Sequence, residues 1–218
     1  NMAIWMVSKF ATEELKSEWF PQLSSGQKLA SYCLTEPGSG SDAASLRTTA
    51  IKDGDSYILN GSKAFISGSG VTNCLILMAR TGDSGSKGIS CFLVPADLPG
   101  IEYGKNEAKM GWKNQPTRLV SLTDVAIPKN NLIGEEGNGF KIAMEGLDGG
   151  RINIATCSIG TAQSALEEAQ KYMNEREQFG KKLSDFQAMQ FKIADMVTEL
   201  VAARTLTRLA AYKIDQGD

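Results

Sequence analysis

Histidine is absent from the 218-residue sequence. Ser-His-Asp and Cys-His catalysis and His-ligated zinc sites all need an imidazole, so none of them is predicted for this chain. A proton transfer by this chain would fall to Asp, Glu, Lys, Tyr or Cys. The four cysteines are widely scattered and form no CxxC pair, so a metal cluster or dithiol redox centre has no spacing in its favour. We expect buried free thiols in a reducing compartment.

Long apolar runs and an excess of positive charge are also missing. The longest strand-like apolar run, residues 74–79, is far shorter than the roughly 20 residues of a membrane-spanning helix. The chain has 23 basic and 25 acidic side chains and no dense Lys/Arg tract. It therefore has no excess of positive charge to attract the phosphate backbone of a nucleic acid. Neither a membrane nor a nucleic acid is predicted as a partner. Apolar residues make up 42% of the chain, which suffices for a globular core.

Strand-like runs separated by Gly and Asp clusters fill the chain from about Ala30 to Pro128. The runs are SYCL, SYIL, KAFIS, NCLILMA, GISCFLV and RLVSL. The dipeptides Asp53-Gly54 and Asn60-Gly61 lie between such runs and predict hairpin turns that need positive φ. The pattern predicts an antiparallel β domain, built as a barrel or a sandwich.

Helical signals flank this domain. Thr12 is predicted to cap a short helix that ends near Pro21. After Gly139, apolar residues recur at steps of three and four in two long segments, and Ser184 with Gln187 forms a predicted capping box for the second. The apolar residues are Ile152, Ala155, Ile159, Ala162, Leu166, Ala169 and Met173, then Phe186, Met189, Ile193, Met196, Leu200 and Ala203. Two such helices are expected to pack antiparallel.

The predicted fold class is therefore α+β, with three parts. Residues 1–29 form the end of a helical domain, residues 30–136 the β domain, and residues 137–218 half of an antiparallel four-helix bundle. The chain begins inside the apolar stretch MAIWMV and ends after the helix-like LAAYKID. We expect a piece of a longer protein, with further helices beyond Asp218; a dimer that completes the bundle is the alternative.

The stretch LTEPGSGSD, residues 34–42, follows the strand-like run SYCL. A Gly-Ser loop after a strand can direct backbone N–H groups and hydroxyls at phosphates. The loop lacks the full GxGxxG fingerprint, because Ala43 stands where a third glycine would fall, and no GK[ST] follows it. Taken alone, it is predicted to be a solvated turn, with Glu36 stabilising it.

Four ordered motifs change that interpretation. They are YCLTEPGSGSD at 32–42, LNGSKAFIS at 59–67, GLDGGR at 146–151 and EREQFGKKLSDFQ at 175–187. In this order and layout the sequence resembles the acyl-CoA dehydrogenase family over nearly the whole chain. The resemblance implies FAD as cofactor, an acyl-CoA substrate, electron transfer flavoprotein as partner and a homotetramer. It also implies the mitochondrial matrix in a eukaryote or the cytoplasm in a bacterium.

The resemblance places FAD along the first two motifs. It sets Thr35 and Ser67 near the isoalloxazine, and Ser41 between the FAD pyrophosphate and the CoA moiety. Strand alternation puts Phe65 and Ser67 on one face. Many family members have tryptophan where Phe65 stands, so the packing there is expected to differ in detail. The FAD-binding residues implied here are Tyr32, Leu34, Thr35, Gly40, Ser41, Phe65, Ile66 and Ser67.

The last two motifs imply contacts with a second FAD and with the substrate. Family positions that reach the FAD of a neighbouring subunit match Arg176, Gln178, Phe179, Phe186 and Gln187, where arginine suits the pyrophosphate. Alone, this stretch would be interpreted as a charged inter-helix loop.

The turn that contacts acyl-CoA in the family matches Asp148, Gly149, Gly150 and Arg151, which act together with Ser41. From the helical pattern alone, the two glycines are predicted to break the helix between Met144 and Ile152.

The implied reaction is α,β-dehydrogenation of a short branched acyl-CoA. One branch of the family carries its glutamate base just before the arginine that matches Arg151, and here that position is Gly150. The base is therefore expected beyond Asp218, and this chain alone is predicted to be catalytically incomplete. The alternatives are a non-catalytic nucleotide- or CoA-binding relative and a dehydrogenase of other chain-length specificity.

Overall fold

The computed structural model describes residues 2–217. The chain divides into two compact units between Leu147 and Asp148, a point that lies within one continuous helix. The predicted boundaries near residues 29 and 136 stay predictions. Within residues 2–217, no helix is both long enough and apolar enough to cross a membrane.

Two short helices open the first unit. Helix α1 spans Met2–Phe10 and α2 spans Glu13–Ser24. Thr12 caps α2 as predicted, because its hydroxyl accepts a hydrogen bond from the Leu15 N–H at 3.3 Å. The predicted end near Pro21 is wrong by about one turn: Pro21 lies inside the helix, which runs on to Ser24.

A single eight-stranded sheet follows, in the order β6-β7-β3-β2-β4-β5-β8, with β1 paired to β4. The strands are β1 Ala30–Cys33, β2 Thr49–Asp53, β3 Ser56–Ser67, β4 Cys74–Arg80, β5 Ile89–Pro95, β6 Ile101–Tyr103, β7 Thr117–Pro128 and β8 Leu132–Ile133. The pairing is antiparallel except for β1 with β4 and β2 with β4. The α+β class is confirmed, but across residues 2–217 the sheet does not close into a barrel.

The two predicted hairpin turns have different outcomes. Asp53-Gly54 does connect β2 to β3, with Gly54 at φ 58°. The turn at Asn60-Gly61 is wrong, because both residues lie inside the 12-residue strand β3, at an irregularity in its pairing with β7. The Asn60 amide exchanges two hydrogen bonds with Asp124, which holds this irregularity in place.

Both faces of β4 are buried, which explains its unbroken apolar run. One face packs with α1 and α2 in a cluster that includes Met6, Trp19 and Ile76. The other face joins a cluster that contains Tyr57 and Phe92, whose ring centroids lie 4.9 Å apart. Strand β4 is thus covered on both faces.

The second unit is built on two helices. Helix α3 spans Gly139–Glu175 and so begins in the first unit; α4 spans Gln187–Asp215. Between them lies a hairpin of β9 Glu177–Gln178 and β10 Lys181–Lys182. The helices run antiparallel as predicted: Arg204 donates to Gln163 at 2.6 Å, while Met173 and Ile193 line a common cavity.

Two helix-end predictions are wrong. Helix α3 continues through Gly149 and Gly150 without a break, because glycine lowers the stability of a helix without by itself ending it. The predicted capping box at Ser184 and Gln187 does not form. Helix α4 begins at Gln187 after Phe186, and Ser184 lies in the preceding 3-10 turn, residues 183–185.

Candidate functional site

The loop at residues 34–42 is a built turn with an open crest. Glu36 and Ser39 exchange backbone hydrogen bonds of 2.9 and 3.1 Å, and the Ser39 hydroxyl donates to the Asp42 carbonyl at 2.6 Å. Gly40 and Ser41 are exposed, and a Cβ placed on Gly40 would meet no atom within 4 Å. The backbone and the Ser41 hydroxyl are therefore free to approach a ligand.

The base of this loop lies against strand β3. Ala64 donates its N–H to the Thr35 carbonyl at 2.8 Å, which links the loop to the start of the Phe65–Ser67 stretch. Leu34 is buried, so its side chain belongs to the core rather than to the open surface. The structure thus brings together the first two motifs that the sequence predicted to act together.

Phe65 and Ser67 are both exposed, whereas Ile66 between them is buried in the core. The prediction that Phe65 and Ser67 share a face stands, but simple strand alternation is not its whole cause. The β3–β7 register shifts between Lys63 and Ile66, and Phe65, which is 67% exposed, adopts φ 57°. Such a backbone is costly for an aromatic residue, and such strain concentrates at functional sites.

Tyr32 and Ile66 differ from the other predicted FAD residues. The Tyr32 hydroxyl donates to the Ala143 carbonyl at 3.2 Å, and burial raises the pKa of Tyr32, so the phenol stays a neutral donor. Ile66 has its side chain in the core and uses its carbonyl to accept from the Ser69 hydroxyl. Any contact of Ile66 with a ligand would be made by its backbone.

Lys63 is the residue that the sequence reasoning missed. Its side chain is fully buried, and its ammonium donates to Glu36 at 2.8 Å and to the Leu34 carbonyl at 3.1 Å. Glu36 in turn accepts the backbone N–H groups of Arg47 at 2.6 Å and Thr48 at 2.9 Å. The alternation of side chains along β3 indicated this burial, because Lys63 is an even number of residues from Tyr57 and Leu59, which face inward.

The pKa values of this pair reflect opposing effects. Burial alone would raise the pKa of Glu36, but the Lys63 ammonium and the hydrogen-bond donors outweigh it, so the pKa of this carboxyl is lowered. Burial lowers the pKa of Lys63, and the Glu36 carboxylate opposes that shift. Each partner therefore stabilises the charged form of the other inside the protein.

In the second unit, the residues predicted to reach a neighbour's FAD cluster at the hairpin before α4. Phe179 and Gly180 form its turn, with φ 55° and 73°, the pattern of a type I′ turn. Phe179 is 93% exposed and meets Phe186 edge to face at 6.5 Å. Arg176, Gln178 and Gln187 are exposed around it.

The predicted substrate-contacting residues lie on one turn of α3. Asp148 and Arg151 are exposed and form an ion pair along the helix, three residues apart. A Cβ placed on Gly149 would meet no atom within 4 Å. The surface here is thus open, with one charge of each sign and little steric bulk.

Sequence comparison agrees with this arrangement, in which the open 34–42 loop lies beside the exposed Phe65 and the antiparallel helices α3 and α4 follow along the chain. The chain belongs to the acyl-CoA dehydrogenase family: a model of its middle domain matches residues 31–125, and a model of its C-terminal domain matches residues 137–218. Members of this family are FAD-dependent flavoproteins.

Individual relatives narrow the comparison. The mitochondrial isobutyryl-CoA dehydrogenase of Dictyostelium discoideum is 54% identical over 100% of this chain and 53% of its own length. A subunit of the caffeyl-CoA reductase–Etf complex of Acetobacterium woodii is 46% identical over 94% of this chain and 54% of its own length. The solved butyryl-CoA dehydrogenase of Megasphaera elsdenii is 42% identical with a TM-score of 0.96, covering 100% of this chain and 57% of its own. The chain therefore spans about half the length of the curated relatives it matches.

Proposed function

We propose that this protein is an FAD-dependent dehydrogenase of short branched acyl-CoA thioesters that converts isobutyryl-CoA to methacrylyl-CoA, a step of valine breakdown. The observation that carries this proposal is the 54% identity to an isobutyryl-CoA dehydrogenase along the entire chain. The open loop at 34–42 beside Phe65 and Ser67 supports it, because it offers a place for the cofactor of that chemistry.

The exposed groups of the first unit fit FAD. A flat ring needs an apolar face and a few hydrogen-bonding groups, which Phe65, Ser67 and Thr35 offer next to one another along the loop and β3. A pyrophosphate needs N–H and hydroxyl donors, and the crest at Gly40 and Ser41 presents both without steric hindrance. We assign these residues to hold FAD.

The reaction removes an α-proton and a β-hydride from the acyl chain. FAD, when bound, supplies the hydride acceptor. With FAD bound, Thr35 and Ser67 would orient the ring, and the Ser41 hydroxyl would hydrogen-bond the pyrophosphate and CoA. Asp148, Gly149, Gly150 and Arg151 would contact the acyl-CoA. No carboxylate of this chain is proposed as the base. One branch of the family carries its base just before the arginine that matches Arg151, and in this chain that position is Gly150.

A different acyl group is the second candidate. The 46% identity to a caffeyl-CoA reductase subunit and the likeness to a butyryl-CoA dehydrogenase support a member with other chain specificity or reductive use. A non-catalytic CoA-binding relative is the third candidate.

Electron transfer flavoprotein is the proposed electron partner, and a homotetramer is the proposed assembly. The proposed compartment is the mitochondrial matrix in a eukaryote or the cytoplasm in a bacterium.

Anaerobic titration of the purified full-length flavoprotein with acyl-CoA thioesters tests the proposal, because the base is expected outside these 218 residues. We expect isobutyryl-CoA to bleach the flavin absorbance at a lower concentration than butyryl-CoA does. Bleaching by butyryl-CoA alone would transfer the assignment to a straight-chain enzyme. A flavoprotein that no thioester bleaches would support the non-catalytic relative, and a protein without flavin would contradict the cofactor assignment.

Ser41→Trp is expected to weaken the binding of both FAD and CoA. The indole would fill the open crest of the loop, where Gly40 and Ser41 face outward, so the dissociation constant should rise at least about tenfold. Flavin fluorescence quenching measures FAD binding, and calorimetry with CoA measures the second ligand. Ser84→Trp, in the exposed loop between β4 and β5, is the matched control and should bind both normally. Unchanged binding of both ligands by Ser41→Trp would remove Ser41 from the site.

Phe179→Asn separates strain from function. Asparagine suits the positive φ of a type I′ turn, which offsets the lost contact with Phe186, so the free energy of unfolding should change by less than about 1 kcal/mol. FAD affinity should nevertheless fall at least about tenfold, because the exposed ring is proposed to contact the cofactor of a neighbouring subunit. Fluorescence titration beside chemical denaturation decides it. An unchanged FAD affinity would leave Phe179 a turn residue only.

A further inference from the structure

The buried pair Lys63–Glu36 connects three segments of the first unit. The Lys63 ammonium reaches the Leu34 carbonyl and the Glu36 carboxylate from strand β3. Through Glu36 the contact continues to the N–H groups of Arg47 and Thr48, just before β2. Residues 36–48 are thereby closed into a loop by one carboxylate.

A neighbouring glycine confirms that these segments are held tightly. A Cβ placed on Gly61 would lie 2.6 Å from Thr48 Oγ1 and 2.7 Å from Thr48 Cα. Strand β3 therefore approaches the Thr48 backbone directly, two residues from Lys63. No buried side-chain nitrogen or oxygen in residues 2–217 lacks a hydrogen-bond partner, so this polar cluster is complete.

The exposed part of the loop has few other attachments. Apart from the Lys63 contacts with Leu34 and Glu36, the described residues join the loop to β3 by one hydrogen bond, Ala64–Thr35 at 2.8 Å. The surfaces that carry Thr35 and Ser41 on one side and Phe65 and Ser67 on the other thus depend on the buried pair for their separation and angle.

We propose that Lys63 and Glu36 are positioning residues that hold the 34–42 loop in register with the Phe65–Ser67 stretch and thereby set the affinity for FAD. This inference rests on the proposed function for the identity of the ligand. Neither side chain touches the open surface, because Lys63 is fully buried and Glu36 is 7% exposed. Their effect on FAD is therefore indirect, through the placement of backbone and hydroxyl groups.

Three variants of the purified protein test the proposal. Lys63→Met removes the ammonium and keeps an unbranched side chain; Glu36→Gln keeps the shape and removes the charge. In both, the Ala64 amide should exchange hydrogen at least about tenfold faster, and the dissociation constant for FAD should rise at least about tenfold. Lys52→Met is the matched control. It breaks the exposed Lys52–Glu136 ion pair, whose nitrogen–oxygen distance of 2.7 Å is close to the 2.8 Å of Lys63–Glu36, and it should change neither quantity.

The double variant Lys63→Met/Glu36→Gln separates positioning from stability. Each single variant leaves one buried charge without its ion-pair partner and should lower the unfolding midpoint. The double variant leaves no such charge, so its midpoint should recover toward the original value, while Ala64 exchange and FAD affinity stay impaired. FAD affinity that recovers together with the midpoint would overturn the proposal, as would normal FAD affinity in Glu36→Gln.

The outcomes also distinguish this inference from the proposed function. An unaltered protein that binds no FAD would refute the cofactor assignment, while Ala64 exchange in the apoprotein would still decide whether the pair positions the loop. Normal FAD binding by the unaltered protein and by all variants would refute the positioning role and leave the cofactor assignment intact.

Discussion

Gly61→Ala is expected to lower the free energy of unfolding of the first unit by about 3 kcal/mol. Two effects add. The backbone at Gly61 has φ 148°, which side chains of L-residues rarely adopt, and the added Cβ would lie 2.6–2.7 Å from Thr48 atoms, one of them Cα. Backbone cannot rotate away as a flexible side chain can, so β3 or the Thr48 segment must move. Because Glu36 binds the Thr48 N–H, weaker FAD binding should accompany the loss.

Gly54→Ala is the matched control for Gly61→Ala. Gly54 has φ 58° in the β2–β3 turn, but a Cβ there would meet no atom within 4 Å. Its cost should be the conformational term alone, about 1–2 kcal/mol. All three tryptophans, Trp5, Trp19 and Trp112, lie in the first unit, so denaturant unfolding followed by tryptophan fluorescence reports on it. Equal losses for both variants would contradict the close approach of β3 to Thr48.

These two glycines also show what the sequence could predict about the sheet. Both follow an Asp or Asn between strand-like runs, and both do adopt positive φ. Local chemistry thus predicts the positive sign of φ at both glycines. Whether that conformation reverses the chain or makes an irregularity in one strand depends on the partners: Asn60 finds Asp124 in β7, a residue 64 positions away. No local pattern contains that contact.

The site was predictable in part for the same reason. The residues of the open loop came from ordered motifs, and the structure does place Thr35 beside Ala64 and expose both Phe65 and Ser67. The Lys63–Glu36 pair was missed because a lysine in a strand is ordinarily solvated, and only its parity with Tyr57 and Leu59 indicated burial. Burial of charge depends on a partner that sequence spacing does not reveal.

Helix α3 raises the corresponding question for glycines in helices. Gly139, Gly149 and Gly160 all lie within it, and helix propensity alone would assign each the same cost. The structure separates them by what surrounds each position. A Cβ on Gly160 would meet no atom within 4 Å, whereas one on Gly139 would lie 2.3 Å from the Ser90 carbonyl carbon and 2.6 Å from the Cys91 nitrogen.

Gly139→Ala is accordingly expected to destabilise the first unit by about 3–4 kcal/mol, at or above the usual cost of overpacking. Ser90 and Cys91 are fully buried in β5, and the Gly137 N–H donates to the Ser90 hydroxyl at 2.9 Å, so the start of α3 is fixed on the strand. Denaturant unfolding followed by tryptophan fluorescence measures this loss. The helix start would have to lift from β5 to accept the methyl group.

Gly160→Ala, in the same helix, should have the opposite sign. Alanine lowers the backbone entropy lost on folding and meets no obstacle, so the second unit should gain up to about 1 kcal/mol. The second unit has no tryptophan, so helical circular dichroism is the signal to follow. If Gly139→Ala also proved neutral or stabilising, the start of α3 could not rest on β5 as described. A pair of opposite shifts would instead show that close approach to the sheet, rather than helix propensity, requires glycine at the point where α3 begins.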